Sequence, residues 1–295
     1  RQQEEMLRGT VKQTIRDANA QQLENGLLGG PDNGRLDRLL GSGYILAEGI
    51  PCEREEENLG GLNILLENIK QIVLGPRRDS RAVVTLFMGH VVFAVNQETM
   101  DFGRLLSGIR EWSDKNEYPF SVSWIPVTTG DCLADRYSLL TRISSYRFYY
   151  DKFCILSEEE TKSAEGEPCF NALEEAVKDG NAELALTEME DVIYDLRRLN
   201  KSPEEARTYC ARLYLLLAKY TNEHVRETGI VRLLMTSART DFNGLAAMLR
   251  QLLTQWETDR SEKNQASFSS TVQKAMLYVH DHLSDEGLSI AAVAG

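Results

Sequence analysis

Two runs of β-branched and aromatic residues flank a short glycine-containing turn in the first half of the chain. The runs are Ala82–Phe87 and Val91–Val95, and Met88-Gly89-His90 lies between them. Such runs around a tight turn predict an antiparallel β-hairpin. An isolated hairpin is only marginally stable, so the flanking sequence must supply further strands and helices.

The flanking sequence alternates between strand-like and helix-like patterns. The predicted elements are a strand at 44–47, a helix at 61–74, the two hairpin strands, a helix at 100–112, a strand at 120–127 stopped by Pro126, a helix at 132–150 and a strand at 152–156. The order β-α-β-β-α-β-α-β predicts an α+β fold, a ferredoxin-like or cyclase-like α/β sandwich with an antiparallel sheet.

A polar linker at 158–167 separates this region from one with helical patterns only. The predicted helices carry apolar stripes at 170–177, 184–196 and 242–256, and a further helix begins at Ser202-Pro203 and runs to Tyr220. These helices predict an all-α bundle. The polar segment 259–270 predicts a second linker.

Four parts follow from these patterns. They are a connector helix at 1–30, the α/β domain at 31–157, the helical bundle at 165–262 and the start of another helical domain at 268–295. For residues 1–29, two interpretations remain open: a surface helix packed on the next domain, or a connector that carries a signal from an upstream segment.

Charge and composition exclude several classes of function. The 295 residues carry 33 Lys and Arg against 45 Asp and Glu, a net charge of −12. This balance disfavours a surface that grips nucleic acid or anionic lipid, because phosphate binding needs a local excess of Lys and Arg. No apolar run reaches the roughly 18–20 residues that span a bilayer, and no secretory signal is present, so we expect a cytoplasmic segment without membrane contact.

The residues that could carry chemistry do not assemble into a recognisable site. The five cysteines are scattered without a CxxC pair, which predicts free thiols and neither a zinc site nor a disulfide framework. His90 is expected to be exposed at the hairpin tip. His280 and His282 are two residues apart on a helix and so do not share a face.

The remaining charged and glycine-rich motifs are weak signals. Glu55–Glu57 and Glu158–Glu160 are typical of solvated loops, and Arg77-Arg78 is too small for a nucleic-acid footprint. Gly60-Gly61 precedes a predicted helix whose N-terminus could hold an anion, but two glycines alone are not specific. The sequence thus predicts no catalytic, cofactor-binding, metal-binding or DNA-binding residue, no cofactor and no enzymatic activity.

Several short motifs resemble one family of regulators. Tyr278-Val279, an acidic turn and then Leu288–Ala294 (LSIAAVA) resemble the opening of an AraC/XylS-type DNA-binding domain. Ser121-Val122-Ser123 and Tyr146–Tyr149 (YRFY) resemble the central region of YesN-like AraC regulators from Firmicutes, and Ala176–Ala182 resembles their linker helices. Taken in order, these motifs span nearly the whole chain.

The α/β region resembles a GGDEF-like domain that has lost its catalytic residues. An active diguanylate cyclase of this family needs a G-G-[DE]-E-F hairpin and an Asp on the first strand. The corresponding hairpin, Phe87–Phe93, keeps only Gly89 and has no acid, and the first strand offers only Glu48. Leu140 stands where the family's S-Y-x-x-A motif has a small residue, and Ser123-Trp124-Ile125 lacks the family's glycine. The resemblance therefore implies a degenerate domain that transmits or senses.

The function implied is that of a signal-transmitting fragment of an AraC-family transcription regulator. It would couple an upstream receiver domain, as in two-component response regulators, or a membrane sensor to a C-terminal helix-turn-helix. Operator DNA would be bound only by helices beyond Gly295. A homodimer would suit such a regulator, but no sustained heptad supports it. The alternative is a stand-alone module that binds a nucleotide or small ligand without catalysis.

Overall fold

The computed structural model describes residues 2–30, 35–51, 59–75, 81–150, 152–220 and 241–267. It divides into two compact units. Unit 1 comprises Arg1–Ala164 with two short later pieces, Asn200–Pro203 and Asp241–Asn243. Unit 2 comprises Glu165–Leu199, Glu204–Thr240 and Gly244–Gly295.

The described ranges form a mixed α/β structure of nine α-helices and five strands. The helices are α1 Gln2–Leu27, α2 Arg35–Leu40, α3 Leu59–Leu74, α4 Phe102–Asn116, α5 Leu133–Ser145, α6 Asn171–Asp179, α7 Ala182–Leu199, α8 Pro203–Ala218 and α9 Phe242–Ser267. The strands are β1 Gly43–Pro51, β2 Ala82–Phe87, β3 His90–Asn96, β4 Phe120–Thr128 and β5 Cys154–Leu156. A 3-10 turn, Tyr146–Tyr149, follows α5.

The five strands form one open sheet in unit 1 with the order β2-β3-β1-β4-β5. β2–β3, β3–β1 and β1–β4 are antiparallel pairs, whereas β5 runs parallel to β4. The predicted hairpin is confirmed, with Phe87 paired to His90 across a two-residue turn. The predicted order of strands and helices in this region is also confirmed.

The two faces of the sheet differ in chemistry. One face is apolar and packs against α3 and α4, through residues such as Val84, Phe93 and Phe120 with Leu65 and Ile109. Because side chains alternate along a strand, the neighbouring residues point to the other face, which α1 and α5 cover. That second face buries several polar side chains: Glu48, Thr85, Asn96, Ser121 and Ser123.

Among the side chains of α1 that the structure describes, those near its C-terminus are the most deeply packed. Leu23 and Leu27 are buried, and Glu24 accepts a hydrogen bond from the Thr85 hydroxyl on β2. Val11 and Ile15, earlier in the helix, are each about half exposed, at 54% and 50%. The helix predicted for residues 1–29 is therefore confirmed, and its last turns belong to the packed core of unit 1.

Pro126 does not stop β4, contrary to the prediction. The strand continues to Thr128, and Pro126 pairs with Ile45 of β1. Proline cannot donate to a ladder, so it is tolerated only where its nitrogen faces no strand. Here β5 pairs with residues 121–123 alone, which leaves an open edge beside Pro126.

The regular elements among the described residues of unit 2 are all helices. Helices α6–α9 bury one apolar stripe each, for example Leu173, Met189, Leu213 and Leu249. On α9 the prediction of a linker from residue 259 is wrong, because the helix runs on to Ser267. Five of the nine residues in that stretch have good helix propensity, namely Arg260, Glu262, Lys263, Gln265 and Ala266. Asp259 is buried and accepts a hydrogen bond from Gln255.

None of the helices in the described ranges combines the length and the apolar character that crossing a bilayer requires.

Candidate functional site

A carboxylate is enclosed within the second face of the sheet. Glu48 lies on β1, opposite Val92 of β3 and Ser123 of β4, and its residue exposure is 0%. A charged side chain is almost never fully buried unless partners satisfy it. The surroundings of Glu48 therefore form the candidate site.

Three side chains from two other elements contact the Glu48 carboxylate. His90 Nδ1, at the start of β3, lies 2.5 Å from Oε1. From α5, the Tyr137 hydroxyl donates to Oε1 at 3.1 Å and the Ser144 hydroxyl donates to Oε2 at 2.7 Å. Tyr137 and Ser144 are seven residues apart, two helical turns, so they present their hydroxyls on one face of α5.

The hydrogen bonds keep Glu48 ionised in spite of its burial. Burial alone raises the pKa of Glu48, but the hydrogen bond and the charge of His90, with the hydroxyls of Ser144 and Tyr137, outweigh it. The net pKa of Glu48 lies below its ordinary value. An ionised carboxylate only accepts hydrogen bonds, so Nδ1 of His90 carries a proton.

Tyr137 is held in its protonated form by the same arrangement. Burial, and then the negative charge of Glu48, raise the pKa of the Tyr137 hydroxyl well above its ordinary value. Its ring packs edge-on against Phe87 of β2 with centroids 5.3 Å apart. The ring thus closes one side of the carboxylate, and the hydroxyl serves as a fixed donor.

His90 does not occupy the exposed position predicted for it. It is the first residue of β3 and points to the same face as Glu48, and only 18% of its side chain is exposed. The exposed tip of the hairpin is Met88, at 71%. Met88 and Gly89 both have positive φ, 49° and 81°, as the two central residues of a tight hairpin turn require.

One hydroxyl beside the carboxylate has no partner. Ser123 pairs with Glu48 in the β1–β4 register and is 1% exposed, and its Oγ has no hydrogen bond among the described residues. Buried hydroxyls usually find a partner. Among the described residues around Glu48, Ser123 therefore has a buried polar side-chain atom without a hydrogen-bond partner.

The sequence alone does not indicate that Glu48 and His90 are in contact. Glu48 is the sole acid of the first strand, and His90 belongs to the predicted turn. The signal that could have joined them is periodicity: a single acid at an inward position of an otherwise apolar strand requires buried donors. Tyr137 and Ser144 were not singled out as polar contacts, because their α5 pattern resembles that of any half-buried helix.

The other singled-out residues lie apart from this site. Gly60-Gly61 falls within the first turn of α3, not before it, because the helix begins at Leu59. Glu160 accepts hydrogen bonds from Ser157, so the acidic run Glu158–Glu160 forms part of a turn. The motifs outside the described residues are Cys52, Glu55–Glu57, Arg77-Arg78, His280, His282 and the segment 278–294.

The four cysteines in the described ranges are free thiols. Cys132 and Cys169 are exposed, whereas Cys154 and Cys210 are buried. Burial raises the pKa of the Cys210 thiol to about 12, which makes it a poor nucleophile. Within the part of the chain that the structure describes, no three His, Cys, Asp or Glu side chains are placed to hold a metal ion.

A second cluster in unit 1 is aromatic. Phe148 and Tyr149, in the 3-10 turn after α5, contact the ring of Phe242 with centroids 5.8 and 5.2 Å away. The Tyr149 hydroxyl also donates to the Lys201 carbonyl at 2.8 Å. Phe242 begins α9 and Lys201 lies two residues before α8, so one turn holds the beginnings of two helices.

Comparisons of the chain with protein-family models, with curated protein sequences and with solved structures give no match.

Proposed function

We propose that this chain is the signal-transmitting region of an AraC-type transcription regulator. In this proposal an upstream receiver or membrane sensor acts through α1, and the signal passes through a degenerate GGDEF-like domain and a helical bundle to a helix-turn-helix. The order of the family-like motifs along the sequence supports it. Three of them lie within described ranges: Ser121–Ser123 in β4, Tyr146–Tyr149 in the turn after α5, and Ala176–Ala182 from the end of α6 to the start of α7.

The topology of the sheet supports a ferredoxin-like or cyclase-like fold. The unit β1-α3-β2-β3-α4-β4 has the strand order β2-β3-β1-β4, all antiparallel, as a split βαβ arrangement does. β5 then extends the sheet in parallel with β4, after α5. The finer fold assignment rests on this likeness of order and direction.

The observation that carries the proposal is a series of contacts within unit 1 that begins at α1. Gly26 of α1 lies so close to α5 that an added Cβ would stand 2.6 Å from the Leu133 side chain. α5 ends in the turn Tyr146–Tyr149, which contacts Phe242 and Lys201. A displacement of α1 would therefore reach the beginnings of α8 and α9, two helices that continue into unit 2.

The hairpin and first strand support transmission without catalysis. Both carboxylate oxygens of Glu48 already accept hydrogen bonds from protein side chains. The hairpin tip, Met88-Gly89, presents no acid, and the neighbouring His90 directs its ring at Glu48. A cyclase of this kind needs acids to bind a divalent cation beside the nucleotide phosphates, and we propose that this chain does not supply them.

Amide hydrogen exchange on the 295-residue chain tests the proposed transmission. Leu23→Ala empties a buried contact of α1, and we expect faster exchange in the first turns of α8 and α9 as well as in α1 and α5. Leu28→Ala is the matched control, because Leu28 is 65% exposed. Changes confined to α1, β2 and α5 would contradict the proposal.

Incubation with GTP and Mg²⁺ tests the absence of catalysis separately. We expect no cyclic dinucleotide product and no thermal stabilisation by GTP or cyclic dinucleotides. Product formation would establish a cyclase, whereas stabilisation without product would favour the ligand-binding alternative.

A further inference from the structure

The strand β2 forms one edge of the sheet and lies at the bottom of a groove. The groove has a volume of about 530 Å³ and is lined by α1, α3 and residues 82–86 of β2. Consecutive residues of a strand point to opposite faces, so a groove that touches five in a row runs along the edge of the strand. At about 3.3 Å per residue this edge is roughly 16 Å long.

Half of the main-chain groups of β2 point into this groove. In an antiparallel pair, alternate residues direct both N–H and C=O towards the neighbouring strand or both away from it. Phe87 closes the turn with His90, and Asn96 N donates to Arg81 O at 2.9 Å, so odd-numbered residues face β3. Ala82, Val84 and Leu86 therefore present their N–H and C=O groups outward.

These outward groups have no hydrogen-bond partner among the described residues. Ala82 and Val84 are 9% and 7% exposed, because their side chains pack in the core, whereas Leu86 is 39% exposed. A row of unpaired N–H and C=O groups along a strand edge is a template for pairing with another strand. An additional strand paired with β2 would satisfy them.

The two walls of the groove differ in polarity, and this difference determines which side chains an additional strand would need. The α3 wall carries Leu66 and Leu74, and its charged residues Lys70 and Glu67 pair with each other at 2.9 Å. On the α1 wall, Asp17 accepts a hydrogen bond from Gln13. Arg16, on the same wall, is exposed and has no ion-pair partner among the described residues.

We propose that this groove binds an extended segment of a partner protein as a sixth strand beside β2. Alternate side chains of such a segment would face α3 and α1. Apolar residues suit the Leu66 and Leu74 side, and acidic residues suit Arg16, so the segment alternates between the two. A second copy of this chain is a poorer occupant, since its own β2 lies equally deep between α1 and α3.

Two N-methylated peptides test the main-chain pairing with the whole 295-residue chain. The parent probe is the capped peptide Val-Asp-Val-Asp-Val, labelled with a fluorophore for anisotropy. In one variant the valine amides are methylated, and in the other the aspartate amides. In an extended strand, residues whose side chains share one face also direct their N–H groups to the same side. Either the valine amides or the aspartate amides therefore face β2, but not both. We expect one variant to bind like the parent and the other at least about tenfold more weakly.

Charge reversal tests the α1 wall independently. Arg16→Glu is expected to weaken binding of the parent peptide by roughly threefold to tenfold, and to favour the Val-Lys-Val-Lys-Val peptide. Arg104→Glu, on the exposed surface of α4, is the matched control and should leave binding unchanged.

Equal binding of the two methylated peptides would overturn the proposal, as would no binding of the parent up to about 1 mM, the weak end of specific affinities. A concentration-dependent dimer that the parent peptide dissociates would identify a second copy as the occupant and would also overturn it.

Discussion

Glu48 shows how one buried charge organises one face of a sheet. Its carboxylate brings together β1, β3 and α5 through His90, Tyr137 and Ser144. The cost of removing a carboxylate from water is large, and the three donors offset it only while they remain in place. Each donor would in turn lose its acceptor if Glu48 were removed, so the cluster stabilises the fold as a unit.

Replacement of Glu48 should destabilise unit 1 strongly. We expect Glu48→Ala to cost about 3–5 kcal/mol, because it leaves the buried hydroxyls of Tyr137 and Ser144 and the partly buried His90 without their acceptor. Glu48→Gln keeps the shape and one acceptor and should cost less, about 1–3 kcal/mol. Native-state hydrogen exchange of the amides in β1–β4 measures the loss. Glu111→Ala, at an exposed position of α4, is the control and should change the free energy of unfolding by less than about 0.5 kcal/mol. An equal effect of both alanine variants would refute the role of Glu48.

Acidification should remove the contribution of Glu48. Its pKa in the folded chain lies below the ordinary value of 4.5, so its stabilising effect is complete above that value and is lost as the pH falls through the folded pKa. The stability difference between the wild-type chain and Glu48→Gln should therefore shrink as the solution is acidified below about pH 4.5. Thermal unfolding of both chains across this range gives the difference, and a difference that grows on acidification would contradict the assignment.

The β2–β3 hairpin carries a turn residue poorly suited to its conformation. Met88 has φ 49° and Gly89 has φ 81°. Asn adopts positive φ more readily than Met, and Met88 is too exposed to lose packing. We expect Met88→Asn to raise stability by about 0.5–1 kcal/mol and Gly89→Ala to lower it by about 1–2 kcal/mol. Chemical denaturation measures both, and a loss of stability in Met88→Asn would show that the Met88 side chain has a role at the tip.

Salt should weaken the contact between α7 and α9. Arg250 donates to both carboxylate oxygens of Glu190 at 2.6 and 2.7 Å, but both side chains are about half exposed. We expect Glu190→Gln to cost no more than about 1 kcal/mol, with the cost falling as salt rises. The control is Glu188→Gln, which keeps the same change of charge without this ion pair. A loss independent of salt would point to packing instead.

The order of elements could be predicted because local pattern determines it. The β-branched runs, the 3.6-residue stripes and the Ser202-Pro203 start are signals carried by neighbouring residues. What could not be predicted depends on residues far apart in sequence. Glu48 meets Ser144 across 96 residues, and Pro126 stays within β4 only because β5 is short. The continuation of α9 from residue 259 to Ser267 could not be predicted for a different reason. A polar composition does not distinguish a linker from an exposed helix.

At the scale of the whole molecule, the net charge of −12 repels a polyanion such as DNA. At about 0.15 M salt the screening length is about 8 Å, so only local positive patches could attract phosphates. Between residues 270 and 295, where the sequence resembles the opening of a DNA-binding domain, Lys274 is the only Lys or Arg. The acidic balance therefore characterises the sensing and coupling part of the proposed regulator.

The 295-residue chain should accordingly not bind DNA. We expect no retarded band in a gel-shift assay with duplex DNA at physiological salt, up to about 100 µM protein, the weak end of the 10⁻⁴–10⁻⁶ M range of dissociation constants for non-specific binders. Lowering the salt to about 50 mM should not change this, because few counterions would be released. The measurement contradicts the assignment if a retarded band forms and weakens steeply with added salt. That result would require a phosphate-binding surface that the sequence does not reveal.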